Sequence, residues 1–568
     1  MGRNDTRGRP IGKCQVGMAR NSGEPRPLIS GNSGIDSAFG ASRLRMRQPC
    51  DEAVIRFGTA DSPCTDKSRN WVLAATILGS SMAFIDGTVV NVALTALQSS
   101  LQATLVDVQW VVESYGLFLS ALILVGGALG DALGRRRMFV LGVALFGAAS
   151  LGCGLSPSIR TLVMWRSLQG IGAAFLVPGS LAIISASFDE KSRGQAIGTW
   201  SGFTAITTAL GPVIGGWLIE HASWHWVFFI NVPLGALVIA ISLWHVPESR
   251  GVNARTVDWL GAAIATFGLA AVVYGFLESA TLKWNHPRVF GTLIFGFASA
   301  VLFVAVERRV TSPMVPLDLF KSRSFSGANL LTLFLYAALG AFFFLFPLNL
   351  IQIQNYSPTK TGAAGLPMIF LIFLLSRWSG GLVARYGSRS PLIAGPLIVA
   401  AGFMLFAMPY VSASYWSSFF PGFVVLGLGM VISVAPLTTV TMGSVKEDRA
   451  GTASGINNAV ARVAGVLAVA VLGVVMVAAF ASSLRASVAM LHVDATGVRY
   501  LEANVAKLGT LQPPPNLDPQ TTSNVRAAIT HAFVFGFRMM MLLCASLAIA
   551  SAAVAWRLIP SRRSQADA

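Results

Sequence analysis

Residues 127–137 read GALGDALGRRR, and residues 380–389 read GGLVARYGSR. Aligned without a gap, the two stretches share two glycines, a leucine and an arginine, in the pairs Gly127/Gly380, Leu129/Leu382, Gly134/Gly387 and Arg136/Arg389. Each stretch ends one long apolar run and precedes the next. A loop that recurs in this way indicates a duplicated fold. Internal duplication is typical of transporters that hold their substrate between two halves near mid-membrane.

Long apolar runs extend from these loops in both directions. The chain of 568 residues is 54% hydrophobic and 12% charged, whereas about 25% of residues are charged in soluble domains. A helix that spans the hydrocarbon core needs roughly 20 mainly apolar residues. An open strand would leave its backbone unpaired in lipid, so the runs are predicted to be helices. The fourteen predicted spans are 71–97, 107–130, 137–156, 160–187, 194–219, 225–246, 257–277, 288–306, 325–350, 362–384, 390–411, 415–440, 452–480 and 534–557.

The two loop copies follow the second and the tenth predicted span, which divides the chain into two related halves. Six helices in each half, with two helices inserted between them, account for the fourteen spans. We therefore predict an all-α polytopic membrane protein. The predicted units are a disordered basic tail (1–70), an N-terminal six-helix bundle (71–246), two inserted helices (257–306), a C-terminal six-helix bundle (325–557) with a long outer loop (481–533), and a second tail (558–568).

The formal net charge of +17 first suggests a nucleic-acid partner. The distribution of Lys and Arg explains this charge better. Residues 1–70 hold 12 of the 42, the loops predicted on the same side hold 18 together with the C-terminal tail, and the opposite loops hold 8. Short cytoplasmic loops of membrane proteins carry an excess of Lys and Arg. We therefore expect both termini in the cytoplasm and no nucleic-acid partner.

Two segments outside the spans have their own patterns. Residues 1–70 are rich in Gly, Ser, Pro and Arg and lack periodicity, so we expect disorder. They contain no apolar core of a signal peptide, so we do not expect one there. The long outer loop carries apolar residues at helical spacing, namely Val498, Leu501, Val505 and Leu508. An amphipathic helix on the outer membrane face fits this spacing, and a solvated loop helix fits it equally well.

The residue types that enzymes and metal sites need are sparse. The chain has 5 Cys and 6 His, and the Cys have neither metal-ligand nor redox spacing. We find no His cluster, nucleophile–base pair or nucleotide-binding loop. The sequence therefore predicts a protein that is not an enzyme and has no metal site. A membrane receptor or scaffold is an alternative against which the repeated loops argue.

Four short motifs stand in order along the first half: residues 86–94 (DGTVVNVAL), 127–137, 166–174 (RSLQGIGAA) and 211–216 (GPVIGG). They resemble the first-helix signature, the loop motif, the membrane-arginine motif and the antiporter motif of the major facilitator superfamily, in its fourteen-helix drug:proton antiporter branch. The resemblance covers about residues 71–560. Thr95 stands where that branch usually has Pro, and Ala132 stands where it commonly has Arg.

Asp86, Glu113 and Arg166 are ionisable residues inside predicted spans. Asp86 lies about 15 residues into its span, near mid-membrane, where an ionised carboxylate is costly unless it is paired. An acid there can take up a proton from one side and release it to the other. The resemblance implies that Arg166 promotes this release. From its position in the second span, we expect Glu113 to be a second protonation site or a contact for a cationic substrate. A structural Asp86, and snorkelling of Glu113 or Arg166, stay open.

One face of the second helix suits a cavity wall. Trp110, Glu113, Leu117 and Ser120 share this face by helical spacing. An aromatic ring, an acid and a hydroxyl on one stripe fit a cavity better than they fit lipid. The residues assigned to the substrate cavity are therefore Asn91, Trp110, Leu117 and Ser120.

Glycines cluster in two of the motifs. In the loop motif they permit close helix approach and a tight turn. By resemblance, this motif latches the two halves on the cytoplasmic side through Gly127, Gly130, Asp131, Gly134, Arg135 and Arg136, although charge that only sets topology is an alternative. In the antiporter motif, GxxxG spacing and a helix-distorting proline predict close packing. Its residues are Gly211, Pro212, Gly215 and Gly216, to which the resemblance attaches the direction of transport.

These observations together predict a proton-coupled exporter of hydrophobic small molecules, cationic ones included, that works by alternating access. We expect it in the plasma (inner) membrane of a bacterium, with the substrate, protons and the lipid bilayer as its partners. The proton gradient supplies the energy, and no cofactor is expected. The sequence identifies no accessory envelope protein. Export of an endogenous lipid or metabolite, and uptake by symport, are alternatives.

Overall fold

The computed structural model describes residues 66–560 apart from positions 189, 252–257, 283, 312, 410, 412–413, 446–448, 492 and 516. Residues 1–65 of the predicted disordered tail lie outside this part of the chain. Within it, fourteen helices are long and apolar enough to cross a membrane, which confirms the predicted all-α architecture. We call the side on which the first span begins and the last span ends the terminal face, and the other side the far face.

The spans are numbered α1 to α14 in chain order. Two of them are interrupted, α6 at Ile230 and α10 between its three segments, and α12 begins with a π-helical turn. The bounds are α1 Asp66–Ser100, α2 Leu105–Leu133, α3 Arg135–Gly154, α4 Ile159–Ser187, α5 Glu190–His221, α6 Trp226–Phe229 and Asn231–His245, α7 Trp259–Leu282, α8 Pro287–Glu307, α9 Arg323–Gln352, α10 Pro358–Ala364, Leu366–Gly380 and Leu382–Tyr386, α11 Arg389–Phe406, α12 Tyr415–Phe419 and Phe420–Gly443, α13 Ala450–Val488, and α14 Pro519–Leu558.

The predicted repeat has a conformational counterpart. Gly134 and Gly387, which align in the two loop copies, have positive φ values of 121° and 76°, a region that glycine enters at little cost. The register that aligns these loops maps α2 onto residues 358–386, which are the three segments of α10. The span before the first loop copy therefore has a counterpart of the same length in α10, before the second copy.

The inserted helices pack on each other and on the seam between the halves. Val273 and Leu277 of α7 form a buried cluster with Leu117 of α2 and Val466 of α13. The outer surface of α8 is exposed, with Phe290 and Val301 among its large apolar side chains. In a helix that crosses a bilayer, such an apolar surface can face lipid, so α8 lies at the periphery of the protein.

The long outer loop is shorter than predicted, because α13 and α14 extend beyond the apolar segments that reveal them. The 39 residues of α13 are roughly 58 Å long at about 1.5 Å per residue, nearly twice the hydrocarbon thickness. Hydropathy marks the part of a helix in lipid and misses the part beyond it. Asp518 caps the start of α14 by accepting hydrogen bonds from the backbone amides of Gln520 and Thr521.

The loop between α13 and α14 contains a helix, Ala495–Ala503, and a 3₁₀ turn, Val505–Thr510. Leu501 and Leu508 are buried in a cluster that includes side chains from α9, α13 and α14. The helix predicted from this spacing exists, but its apolar side packs on protein. This apolar side therefore faces neither the membrane surface nor solvent, because the extended ends of α13 and α14 supply an apolar surface beyond the bilayer.

The two bundles meet closely near the far face. At the ends of α9 and α1, the Gln352 side-chain amide donates a 2.9 Å hydrogen bond to the side-chain oxygen of Gln98. Near the start of α10, the backbone amide of Thr359 donates to the Glu220 carboxylate on α5 at 3.3 Å. These contacts join the halves on the side away from the latch motif.

Candidate functional site

Asp86 and Arg166 form an ion pair inside the N-terminal bundle. The Arg166 Nη1 atom lies 2.5 Å from Asp86 Oδ2, and both side chains are at most 1% exposed. Asp86 comes from the middle of α1, and Arg166 comes from the second turn of α4, 80 residues away in sequence. The pairing offsets part of the large cost of placing either charge away from water. The structure therefore brings two of the three predicted proton-coupling residues together.

Two amide side chains complete the coordination of the carboxylate. Gln169 Nε2 donates to Asp86 Oδ1 at 2.9 Å, and Asn231 Nδ2 donates to the same oxygen at 3.3 Å. Asn231 also donates to Ser150 Oγ, which in turn donates to the Phe228 carbonyl oxygen. Hydrogen bonds to an ionised carboxylate stabilise its charged form.

Arg166 has partners other than Asp86. Its Nε donates to the Val111 carbonyl oxygen at 3.1 Å, and its Nη1 donates to Gln169 Oε1 at 2.7 Å. The guanidinium carbon also lies 4.3 Å from the centre of the Tyr115 ring, within range of a cation–π interaction. The guanidinium therefore stays partly satisfied when the charge on Asp86 changes.

The sequence reasoning missed Gln169, Asn231, Ser150 and Tyr115. Gln169 lies within the quoted membrane-arginine motif, three residues after Arg166, so helical spacing alone places it on the same face. Asn231 is a polar residue in an apolar run and is detectable as such. Nothing in the sequence shows that α6 brings Asn231 to the Asp86 carboxylate or that α3 brings Ser150 to Asn231.

Glu113 lies outside this network. Its side chain is 1% exposed, and neither carboxylate oxygen meets a hydrogen-bond partner among the described residues. One helical turn away, the Gln109 side chain donates to the Val469 carbonyl oxygen on α13. Glu113 therefore lies near the seam between α2 and α13. A buried carboxylate without partners is costly to ionise, so this position favours the protonated acid.

The residues predicted to line the cavity occupy different surroundings. Trp110 faces Tyr274 on the inserted helix α7, with ring centres 6.2 Å apart, and Leu117 joins the cluster with Val273. Ser120 donates to the Gly116 carbonyl oxygen within its own helix. Asn91 is half-buried on α1. This face of α2 thus packs partly on an inserted helix, and a role for these four residues in the cavity stays a prediction.

The predicted latch forms ion pairs within the N-terminal bundle. Asp131 pairs with Arg135 at 2.8 Å. Glu248, which follows α6, accepts hydrogen bonds from the backbone amides of Arg136 and Arg137. Sequence reasoning missed Glu248. In this conformation these charged contacts tie α2, α3 and the segment after α6 together at the terminal face.

The predicted loop glycines differ in how much space they need. A methyl group at Gly134 would lie 2.7 Å from a Glu248 carboxylate oxygen, and the positive φ of Gly134 also disfavours other residues. A methyl group at Gly127 would meet Pro178 at an ordinary 3.7 Å, and one at Gly130 would meet nothing. Close approach therefore requires glycine at position 134, whereas packing alone does not require it at 127 or 130.

The antiporter motif packs against both halves. Methyl groups at Gly211 and Gly215 would come within 2.4 Å of α1 atoms, and one at Gly216 would lie 2.3 Å from the Pro358 carbonyl oxygen on α10. In the reverse direction, a methyl group at Gly362 of α10 would lie 2.0 Å from the Pro212 carbonyl oxygen. The motif therefore forms a backbone-to-backbone seam between the bundles.

Comparison with known proteins establishes the family. The model of the Major Facilitator Superfamily matches residues 76–469. The chain belongs to the major facilitator superfamily. The fourteen spans and the curated relatives also confirm the predicted resemblance to its fourteen-helix drug-exporter branch.

Several curated relatives in this superfamily carry names of resistance proteins. The chain is 35% identical to the multidrug resistance protein Stp of Mycobacterium tuberculosis (strain CDC 1551 / Oshkosh), over 73% of this chain and 77% of that protein. It is 31% identical to the tetracenomycin C resistance and export protein of Streptomyces glaucescens, over 88% of this chain and 93% of that protein. It is 33% identical to the puromycin resistance protein pur8 of Streptomyces alboniger, over 77% and 88%.

Solved structures support the superfamily fold. A bacterial homologue of the human lysosomal transporter Spinster, in an inward-facing and unoccupied conformation, matches 88% of this chain and all of its own with a TM-score of 0.58 and 17% identity. The POT family transporter PepTSo matches 89% of this chain with a TM-score of 0.59 and 14% identity. At such low identity the likeness concerns the fold alone.

Proposed function

We propose that this protein is a proton-coupled exporter of hydrophobic small molecules that works by alternating access. The buried Asp86–Arg166 pair is the observation that carries the proposal. Relatives named for resistance to several antibiotics support a drug as the exported class. Asp86, Glu113 and Arg166 are the proposed proton-coupling residues.

Asp86 can carry the proton because its two protonation states have different partners. The ionised carboxylate accepts from Arg166, Gln169 and Asn231, which together stabilise the charge. A proton on Asp86 removes the ion pair, while Val111, Gln169 and Tyr115 continue to hold the guanidinium. The protonated network is therefore free to rearrange, and the ionised network is locked. Arg166 drives deprotonation when it regains the carboxylate.

Alternating access needs two seams between the bundles, one at each face, that are not closed at the same time. In the conformation described here, α5 and α10 meet at the far face through Gly216, Pro358 and Gly362. Among the described residues, the charged latch at the terminal face makes its ion pairs within its own bundle, as the Asp131–Arg135 pair illustrates. We propose that the opposite state opens the far seam and brings the latch into contact with the C-terminal bundle.

The orientation follows from charge. Arg135, Arg136, Arg137, Arg308 and Arg309 flank the terminal face of the spans. Such clusters remain on the cytoplasmic side of bacterial membranes. We therefore propose a location in the plasma membrane with both termini in the cytoplasm. A fluorescent protein fused after residue 568 should fluoresce in the cytoplasm, whereas activity of a periplasm-specific phosphatase at that position would contradict this orientation.

The energy of the proton gradient suffices for export. One charge that moves through 100 mV releases about 2.3 kcal/mol, and one pH unit adds about 1.4 kcal/mol. Exchange of one proton for a neutral molecule can therefore sustain a gradient of several hundred-fold. A monovalent cation exchanged for one proton moves no net charge, so the pH difference alone would drive it.

Proton flux in inverted membrane vesicles tests the proposal. Acid-loaded vesicles that contain the protein should become alkaline inside when an exported compound is added, and a panel of cationic dyes, anionic dyes and neutral antibiotics identifies such compounds. Asp86→Asn should abolish this response, because the amide cannot carry a proton. Asp518→Asn is the matched control, since Asp518 is exposed and Asn caps a helix equally well.

The control variant should alkalinise the vesicles at the rate of the unmodified protein. Equal folded amounts of the variants, measured by monodisperse elution in detergent, make the comparison valid. Transport that is indifferent to Asp86→Asn would remove Asp86 from the mechanism. Alkalinisation by no compound of the panel would contradict proton-coupled export of such molecules.

A further inference from the structure

Arg462 on α13 has no place in the proton-coupling network. It lies 12 residues from the start of α13 at Ala450, about 18 Å along the helix, which is roughly halfway across a 30 Å hydrocarbon core. Asp86, Glu113 and Arg166 are fully buried, whereas Arg462 is partly exposed. An arginine at this depth is costly and marks a functional position unless it reaches the headgroups.

The helix face on which Arg462 lies points to the N-terminal bundle. Gly455, Ala459, Val466 and Gly473 recur with Arg462 at helical spacing along α13. A methyl group at Gly455 would lie 3.4 Å from Leu124 of α2, and one at Gly116 of α2 would lie 2.8 Å from Val466. Arg462 therefore faces the seam between the halves and not the lipid.

Tyr115 connects this arginine to the proton site in space. Tyr115 is the ring that Arg166 contacts from inside the N-terminal bundle. Ala459, one turn before Arg462, packs against the apolar cluster that contains Tyr115. Arg462 thus lies near mid-membrane between the two halves, which is where transporters of this architecture bind substrate.

The guanidinium of Arg462 makes no hydrogen bond or ion pair with any residue in the described part of the chain. Its five N–H donors are therefore free for water or for a bound molecule. Arginine remains charged at all physiological pH values, so its effect does not depend on the protonation of the network.

We propose that Arg462 selects the substrate by charge, so that the cavity prefers anionic molecules and neutral molecules rich in carbonyl or phenolate acceptors and disfavours cations. This inference rests on the proposed export function and narrows it. A charge in the seam repels a cation about 10 Å away enough to change affinity about tenfold at an effective dielectric constant near 20. Asp86 is neutralised by its ion pair with Arg166, and Glu113 at the same seam is buried without partners among the described residues, a position that favours the neutral acid, so neither gives the cation a compensating negative charge.

Two xanthene dyes of similar size and opposite charge test this selectivity. Fluorescein is anionic and rhodamine 123 is cationic, and fluorescence anisotropy reports their binding to the full-length protein in detergent. The unmodified protein should bind fluorescein more tightly. Arg462→Gln should reduce the ratio of the two affinities about a hundredfold, because the anion loses and the cation gains about tenfold each, and Arg462→Lys should preserve the ratio because the charge remains. Arg462→Glu should reverse it.

Binding measurements separate this inference from the export proposal. If Asp86→Asn stops proton flux while Arg462→Gln changes only the affinity ratio, both proposals are supported. If no proton flux occurs but the affinity ratio still follows the charge at position 462, export fails and charge selection holds. An equal affinity of the unmodified protein for both dyes, a ratio unchanged in correctly folded Arg462→Gln, or binding of neither dye would overturn the inference.

Discussion

The two bundles share a repeat, but their cores are chemically opposite. The N-terminal bundle buries Asp86, Arg166, Gln169 and Asn231 in one hydrogen-bonded network. The C-terminal bundle buries a cluster of aromatic rings in the corresponding place: Phe342, Phe346, Phe403, Phe406, Phe419 and Phe423. The register that aligns Gly134 with Gly387 also aligns Arg166 with Phe419 and Ser150 with Phe403.

This difference indicates that the two related halves have different roles. A network that is satisfied only in one protonation state can change its arrangement when a proton binds. A close-packed aromatic cluster has no charge to gain or lose, and it resists deformation. We infer that the N-terminal bundle responds to protons while the C-terminal bundle acts as a rigid counterpart. The seam at Gly216 and Pro358 then joins the two bundles.

The largest effect is expected from Asp86→Ala, which leaves Arg166 buried without its carboxylate. The free energy of unfolding should fall by about 3–5 kcal/mol, and proton flux should vanish. Denaturant unfolding in detergent and the vesicle assay measure the two effects. Replacing both partners, as Asp86→Ala with Arg166→Leu, should restore much of the stability but no flux. An Asp86→Ala protein as stable as the unmodified one would show that the pair is not ionised.

Phe342→Ala tests the opposite core and should affect stability alone. Phe342 is fully buried and its ring centre lies 4.8 Å from that of Phe406 and 5.0 Å from that of Phe346. Removing the ring should cost about 3–5 kcal/mol of unfolding free energy, whereas Phe342→Leu should cost less. Flux per folded molecule should stay within about twofold, since no proton-binding group is lost. Loss of coupling in the folded variant would contradict a passive C-terminal core.

The fold could be predicted from the sequence. The contrast between a polar N-terminal core and an aromatic C-terminal core could be predicted only in part. Apolar runs and loop charges predict the spans because the bilayer imposes both. Asp86 and Arg166 were identified by motif resemblance, but their contact joins helices 80 residues apart and depends on packing. Trp110 and Leu117 face α7, which no repeat predicts, because the inserted helices have no counterpart in either half.

Gly362→Ala tests whether the two cores communicate through the far seam. The added methyl group would lie 2.0 Å from the Pro212 carbonyl oxygen, so the closed seam must open or strain. Overpacking of this kind should cost the closed state about 1–3 kcal/mol. A cysteine at position 98 should react faster with an impermeant maleimide, and proton flux should fall. Gly202→Ala is the control, because a methyl group there meets no neighbour; an equal response in both would exclude a seam effect.

Asn231→Ala should give the smallest effect, since it removes one neutral donor from the Asp86 carboxylate and leaves Arg166 and Gln169 in place. The unfolding free energy should fall by about 1–2 kcal/mol. The lost hydrogen bond stabilised the ionised acid, so the pH midpoint of proton flux should rise by less than about one unit.

Asn329→Ala is the matched control, a buried amide in the C-terminal bundle that should lose similar stability without a change in midpoint. Because a structural role would lower stability alone, a midpoint unchanged in Asn231→Ala would place Asn231 outside the proton-responsive network and confine that network to Asp86, Arg166 and Gln169.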